Sequence, residues 1–124
     1  YAEAGHAIAP ERQLGPRARD HLAIGFTAVR QIMASGVACD GLLCTGDLIA
    51  FGAHRALRET SGGAALPPIY GFDDNPLNEW VAPWLSSVRI PYDAFGEAIV
   101  ELILEGRSTG RAQRILSHRL VDRA

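Results

Sequence analysis

The sequence contains no lysine. All twelve basic residues are arginine, set against fourteen acids, and the net charge is −2. The basic residues are scattered, with no tail or face of one sign, which argues against nucleic-acid contacts by this chain itself. Together with abundant Ala and Gly, the all-arginine usage reads as a base-composition bias and carries no function. Cysteine is nearly absent: Cys39 and Cys44 form neither a CxxC pair nor a disulfide framework, so a reduced, cytoplasmic setting is expected. No apolar run approaches the ~20 residues of a membrane helix, and no signal sequence opens the chain, so no membrane partner is expected. His6, His21, His54 and His118 lie far apart and make no HxxxH or Cys/His cluster, which leaves no metal site and no cofactor to predict. A G-x-S-x-G elbow is missing too. Ser61-Gly62-Gly63 follows a helix and reads as a turn, whereas a phosphate loop lies between strand and helix. Methionine occurs once, at Met33, and the chain opens at Tyr1, so a piece of a longer protein is expected.

What is present is a core-forming composition. In 124 residues, 48% are hydrophobic, enough for one domain with a real interior. Residues 1–19 read as the end of a helix followed by a turn-rich connection containing Pro10, Gly15 and Pro16. From Asp20, Leu22, Phe26, Val29 and Met33 form one helical stripe, with Gly36 as the C-cap. Gly41–Thr45 is a short apolar run suited to a strand covered on both faces. A second helix is predicted at 47–59, a second buried strand at Ile69–Phe72, a short helix at Pro76–Val81 and a strand at Ser86–Ile90. A helix over 92–105 follows, with Phe95, Ile99, Leu102 and Ile103 on one stripe, then a strand around Arg114–Val121. Alternation of this kind predicts an α/β fold with a parallel sheet.

Four phrases then line up in order. Cys44-Thr45-Gly46-Asp47 runs into Leu48-Ile49-Ala50-Phe51-Gly52-Ala53-His54-Arg55-Ala56-Leu57-Arg58-Glu59. Pro67-Pro68-Ile69-Tyr70-Gly71-Phe72-Asp73-Asp74 follows, and then Pro83-Trp84-Leu85-Ser86-Ser87-Val88-Arg89. His21-Leu22-Ala23-Ile24-Gly25-Phe26 stands upstream. This text resembles the lactose-repressor (LacI/GalR) family, in which A-N-D precedes a helix L-x-A-x-G-A-x-R-A-L-R-E, then G-F/Y-D-D and P-x-L-T/S-T/S-V-R. The resemblance covers most of residues 20–91. It implies the C-terminal part of a type I periplasmic-binding-protein-like effector domain, a three-layer parallel-sheet lobe of a two-lobed fold. It also implies that residues 92–112 pack on the other lobe.

In open parallel sheets, ligands bind beyond the carboxyl ends of the strands. Asp73 ends a predicted strand, where a carboxylate can accept from two neighbouring sugar hydroxyls; by resemblance it is an effector contact. Asp74 or Asn75 ahead of Pro76 equally makes a helix start, and capping is the better reading for Asp74. Gly46 stands where many family members have a ligand-contacting Asn, and Ile90 where many have Gln, so two polar contacts are missing. Asp47 lies in a first helical turn, where the dipole favours a carboxylate whatever the function. Arg19 and Asp20 either reach the cleft or are solvated charges at a helix start. Arg89, at a strand end, binds either a ligand group or a surface acid. His54 is expected on a solvated helix face. Cys44, beside Leu42 and Leu43, reads as a buried, inert thiol.

On the second helix, Ile49, Ala53, Ala56 and Leu57 should face the sheet, with Leu48 and Phe51 on the opposite side. The resemblance makes Leu48, Phe51, Trp80 and Val81 a homodimer interface. The implied function is a non-enzymatic sensor of a sugar-like small molecule whose operator-DNA reader lies in an N-terminal domain outside these residues. The alternatives are a periplasmic sugar-binding protein of the same architecture and an α/β enzyme.

Overall fold

A computed structural model describes residues 5, 7–109 and 113–123, with the side chains of 106–109 left out. His6 and the helix end expected at the extreme N-terminus lie largely outside the described residues. A short 3₁₀ turn, Pro10–Arg12, precedes the first helix. Helix α1 spans His21–Ser35: the Asp20 carboxylate accepts from Ala23 N at 2.8 Å, and Gly36 closes the helix at φ 71°. That φ is left-handed, where a residue without Cβ is unstrained. Next come β1 (Leu42–Leu43), α2 (Asp47–Thr60), β2 (Ile69–Asp73), α3 (Asn78–Val81), β3 (Ser86–Arg89), α4 (Phe95–Thr109) and β4 (Arg119–Val121).

The four strands lie in the order β1-β2-β3-β4. The first three run parallel, with Leu42 opposite Ile69 and Asp73 opposite Arg89. Strand β4 is antiparallel to β3, Val88 facing Leu120. The alternation expected from the sequence is therefore present as a parallel-dominated sheet with an antiparallel edge. The register puts the ends of β2 and β3 side by side, and that is where the site forms.

The core lies between the sheet and α2. Val29, Cys44, Ala50, Ala53, Ala56, Leu57, Ile69, Ala82 and Leu85 form one buried cluster. Its alanines let the backbones approach closely, and glycines take this further. A Cβ on Gly25 would meet Ile49 O at 1.9 Å, and one on Gly52 would meet Leu22 O at the same distance, so α1 and α2 cross backbone to backbone. Of the stripe expected on α1, Val29 is buried, whereas Leu22 and Met33 are about half exposed; Gly25 is the helix's other buried residue.

Three further expectations are corrected. Strands β1 and β2 are not covered on both faces: Leu43 is 60% exposed and Tyr70 and Phe72 are over a third exposed, while Ile69 and Gly71 point at α2. Phe51 does not stand free on the outer side of α2; it packs against the core cluster, half-buried. His54 is not solvated on a helix face. Its ring stacks on Trp84 at 3.9 Å and 17°, and burial, with Arg58 nearby, holds its pKa below the usual histidine value. On α4, Phe95, Ile99 and Ile103 stay exposed, and the helix packs on the 3₁₀ turn Tyr92–Ala94 at its start.

Candidate functional site

The carboxyl ends of β2 and β3 open into a cavity of about 470 Å³, lined among others by Asp73, Asp74, Arg89, Tyr92 and Arg123. A larger cavity of about 740 Å³ flanks β1 beneath residues 7–15. Its walls are chiefly aliphatic, and it lies along the strand instead of beyond the strand ends, where parallel sheets present ligands.

The chain turns sharply where β2 ends. Asp73 has φ 106° and Asp74 φ 49°, both in the positive region that L-residues adopt only under constraint. The constraint is a set of hydrogen bonds. Ser87 Oγ accepts from Asp74 N at 3.0 Å, and Asp47 Oδ2 accepts from Asn75 N at 2.7 Å. Asp47 also accepts from Asn78 Nδ2 at 2.8 Å and from Ser87 Oγ at 2.6 Å. This carboxylate, buried at the start of α2, thus fastens the β2–α3 turn to β3. Reading Asp47 as a dipole-favoured first-turn acid misses that role, since its partners are 28, 31 and 40 residues away.

Asp74 does not cap a helix. Its side chain is fully buried between two guanidiniums: Arg89 Nε and Nη2 both contact Oδ2, and Arg123 Nη1 lies 2.8 Å from Oδ1. That last contact is an ion pair without hydrogen-bond alignment. Burial alone would raise the pKa of Asp74, but the close contacts and charges of Arg123 and Arg89 outweigh it and hold the carboxyl below its usual range. Arg123 also donates to Leu85 O at 3.1 Å, and Arg123 N donates to Ser86 Oγ. Asn75 closes a local turn ahead of α3, its Oδ1 accepting from Leu77 N at 2.9 Å, and α3 itself starts at Asn78 without a side-chain cap.

Of the residues singled out from the sequence, Asp73, Gly46 and Arg89 come together. A Cβ on Gly46 would lie 3.8 Å from Asp73 Oδ2, with nothing else within 4 Å, so the missing side chain leaves open space beside that carboxylate. The other oxygen, Oδ1, accepts from Tyr92 OH at 3.1 Å, and this hydrogen bond holds the phenol above its usual pKa. Tyr92 in turn meets Phe95 edge-on, ring centroids 5.4 Å apart. Arg19 and Asp20 stand at the start of α1, exposed and outside the cavity walls, with the Asp20 carboxylate engaged as the helix cap. Tyr92, Asp47, Ser87 and Arg123 carry no local sequence signal of their roles; only the pairing of distant strands brings them in.

Burial raises the Cys44 thiol to about 11, with Asp47 adding to the effect, which suppresses the thiolate a nucleophile needs. Among the described residues, no cluster of His, Cys, Asp and Glu could hold a metal ion. No described helix is long and apolar enough to cross a membrane.

A sequence profile for the periplasmic binding protein-like domain matches residues 2–124. The lactose operon repressor of Rhizobium radiobacter is 32% identical over 90 residues, which cover 70% of this chain and 77% of that protein. This chain belongs to the lactose-repressor family. The HTH-type transcriptional regulator MalR of Streptomyces coelicolor is 40% identical over 70 residues, 54% of this chain and 20% of its own. A solved sugar-binding transcriptional regulator of the family from Escherichia coli, complexed with phosphate, superposes with a TM-score of 0.75. It is 28% identical, over 98% of this chain and 44% of that one. The chain therefore spans somewhat under half the length of that structure and a fifth of MalR. Both fold and family agree with a periplasmic-binding-protein-like effector domain, and the relatives are transcriptional regulators, not enzymes.

Proposed function

We propose that this chain senses a small, sugar-like molecule for a cytoplasmic transcriptional regulator, with Asp73 as the principal effector contact. The observation that carries the reading is the placement of Asp73. Its carboxylate lies beyond the carboxyl edge of the parallel sheet, in a positive-φ turn, facing the open space that Gly46 leaves. One oxygen is free of side-chain partners among the described residues and the other is held by a phenol, so two adjacent ligand hydroxyls can be accepted once Tyr92 yields. Arg89 borders the same cavity and positions the turn through Asp74. Asp20 and Arg19 stay outside this contact set.

Relatives named as HTH-type regulators and as a sugar-binding regulator support the rest of the reading. Operator DNA is contacted by a helix-turn-helix elsewhere in the whole protein, and the effector biases the equilibrium between DNA-binding and released arrangements. Self-association uses the exposed Leu48, Trp80 and Val81, while Phe51 packs on the core cluster.

The test is a panel of neutral methyl glycosides applied to the whole protein by thermal shift, followed by the Asp73→Ala variant. The variant should keep its melting temperature and lose stabilisation by whichever glycoside the parent answers to. An undiminished response would remove Asp73 from the site.

A further inference from the structure

The cavity at the strand ends has an uneven charge. Four carboxylates line it (Asp73, Asp74, Glu79 and Asp93) against two guanidiniums, Arg89 and Arg123. Both guanidiniums are turned onto one of those acids. Arg89 grips Asp74 Oδ2 through two nitrogens, and Arg123 faces Oδ1 while also donating to Leu85 O. Asp74 is wholly buried and Arg123 nearly so, with 13% of its side chain exposed, so this cluster is part of the wall. Asp73, Glu79 and Asp93 form no ion pair among the described residues. A ligand in the cavity therefore meets unneutralised carboxylates, while the positive charge that would favour an anion is directed inward at Asp74.

We propose that Asp74 sets the charge class of the ligand: by holding Arg89 and Arg123 it closes the cavity to phosphorylated or otherwise anionic ligands and leaves it to uncharged, hydroxyl-rich ones. The inference rests on the effector reading of this cavity. Physically, Asp74 offsets one of the two guanidinium charges and occupies their N–H groups, and Asp73, Glu79 and Asp93 outweigh the remaining charge, whereas a free guanidinium is a strong phosphate ligand. Remaining N–H groups of Arg89 can still donate to a neutral hydroxyl, so pairing removes the attraction for anions without removing hydrogen bonding. Asp73 adds to the discrimination, since it welcomes hydroxyl donors and repels phosphate oxygens.

The probe is inorganic phosphate, titrated by NMR and calorimetry at constant ionic strength against chloride. The parent protein should show no saturable phosphate binding in the millimolar range. Asp74→Asn frees the arginines and should gain phosphate affinity by roughly tenfold or more. Because that variant leaves Arg123 buried without its partner, the double variant Asp74→Asn/Arg123→Met is made beside it. This second variant removes one charge of each sign and frees the N–H groups of Arg89 alone, so a smaller gain in phosphate affinity is expected. Saturable phosphate binding at Arg89 in the parent overturns the proposal, and so does a folded double variant with no gain. The phosphate readout is independent of which sugar is sensed. Failure of the effector reading would instead appear as a glycoside response that survives Asp73→Ala.

Discussion

A Cβ placed on Gly71 would stand 2.2 Å from Asp47 Oδ1 and 3.3 Å from Leu85 Cδ2. The middle of β2 therefore lacks a side chain because the carboxylate fastening the site occupies that volume. Gly71→Ala must displace either the strand or Asp47, and moving Asp47 releases its bonds to Asn75, Asn78 and Ser87. The expected loss is about 2–4 kcal/mol of stability, read by urea denaturation. A loss below about 0.5 kcal/mol, the range of ordinary surface changes, would mean that Asp47 is not held as described.

Asp74 carries a pH signature. Its folded pKa lies below the unfolded value of 3.8, so the stability it contributes is fully present above that value. This contribution is lost as pH falls through the folded pKa. Beneath the separate decline that the depressed His54 pKa causes as pH falls below about 6.5, the Asp74 contribution should hold level to about pH 5 and be lost below pH 4. Asp74→Asn should be less stable at neutral pH by about 3 kcal/mol, because two guanidiniums lose their buried partner, and its acid decline should be shallower. Parallel curves for the two proteins would show that other carboxylates govern the acid limb.

The two sides of the site differ in how far they were legible before the structure. Gly36 marks the end of α1 through short-range chemistry, a left-handed glycine, and acts as read; Asp20, expected in the cleft or as a solvated charge, instead caps the helix three residues from its donor. The Gly-Phe-Asp-Asp phrase likewise announces a strand end. The Asp47 hub and the Arg123–Asp74 pair are of another kind. Their partners meet only after β2, β3 and β4 have paired, and no spacing rule links residue 74 to residue 123. Asp74 shows the difference well. Followed by Asn and Pro it has a local reason to cap a helix, yet the two arginines that the sheet delivers draw it inward, and α3 starts without a side-chain cap. Phe51 and His54 depart from the helical-wheel expectation for a related reason. A helical wheel assigns faces relative to one neighbour, whereas α2 also meets Trp84 and the wider core cluster.

Helix crossing by glycine gives a matched comparison. Gly25→Ala and Gly52→Ala each put a Cβ 1.9 Å from a carbonyl oxygen of the facing helix, a distance that only separation of α1 and α2 relieves. Each should lower stability by about 2–4 kcal/mol. Gly96→Ala, near the start of α4, meets nothing within 4 Å and has ordinary helical backbone. It should be neutral or stabilising by up to about 1 kcal/mol, the usual helix-propensity difference. Thermal melts of the three variants decide the matter, and equal effects at all three positions would contradict the close crossing.

The surface proposed for self-association contains residues of two sorts, and this changes which variant tests it. Trp80 is 84% exposed at the end of α3, the largest apolar side chain standing clear of the fold. Leu48, Leu77 and Val81 are exposed as well. Phe51 lies nearby in sequence to Leu48 but packs on the core, so Phe51→Glu would bury a charge and unfold the domain before it reported on assembly. Trp80→Glu removes apolar area and adds charge without touching the interior. Its melting temperature as a monomer should be unchanged within about 0.5 kcal/mol of stability. Its mass by light scattering should fall from dimer to monomer at concentrations where the parent associates. A dimer that persists in Trp80→Glu, with folding intact, would move the interface away from α3 and leave the apolar face of α4 as the next surface to alter.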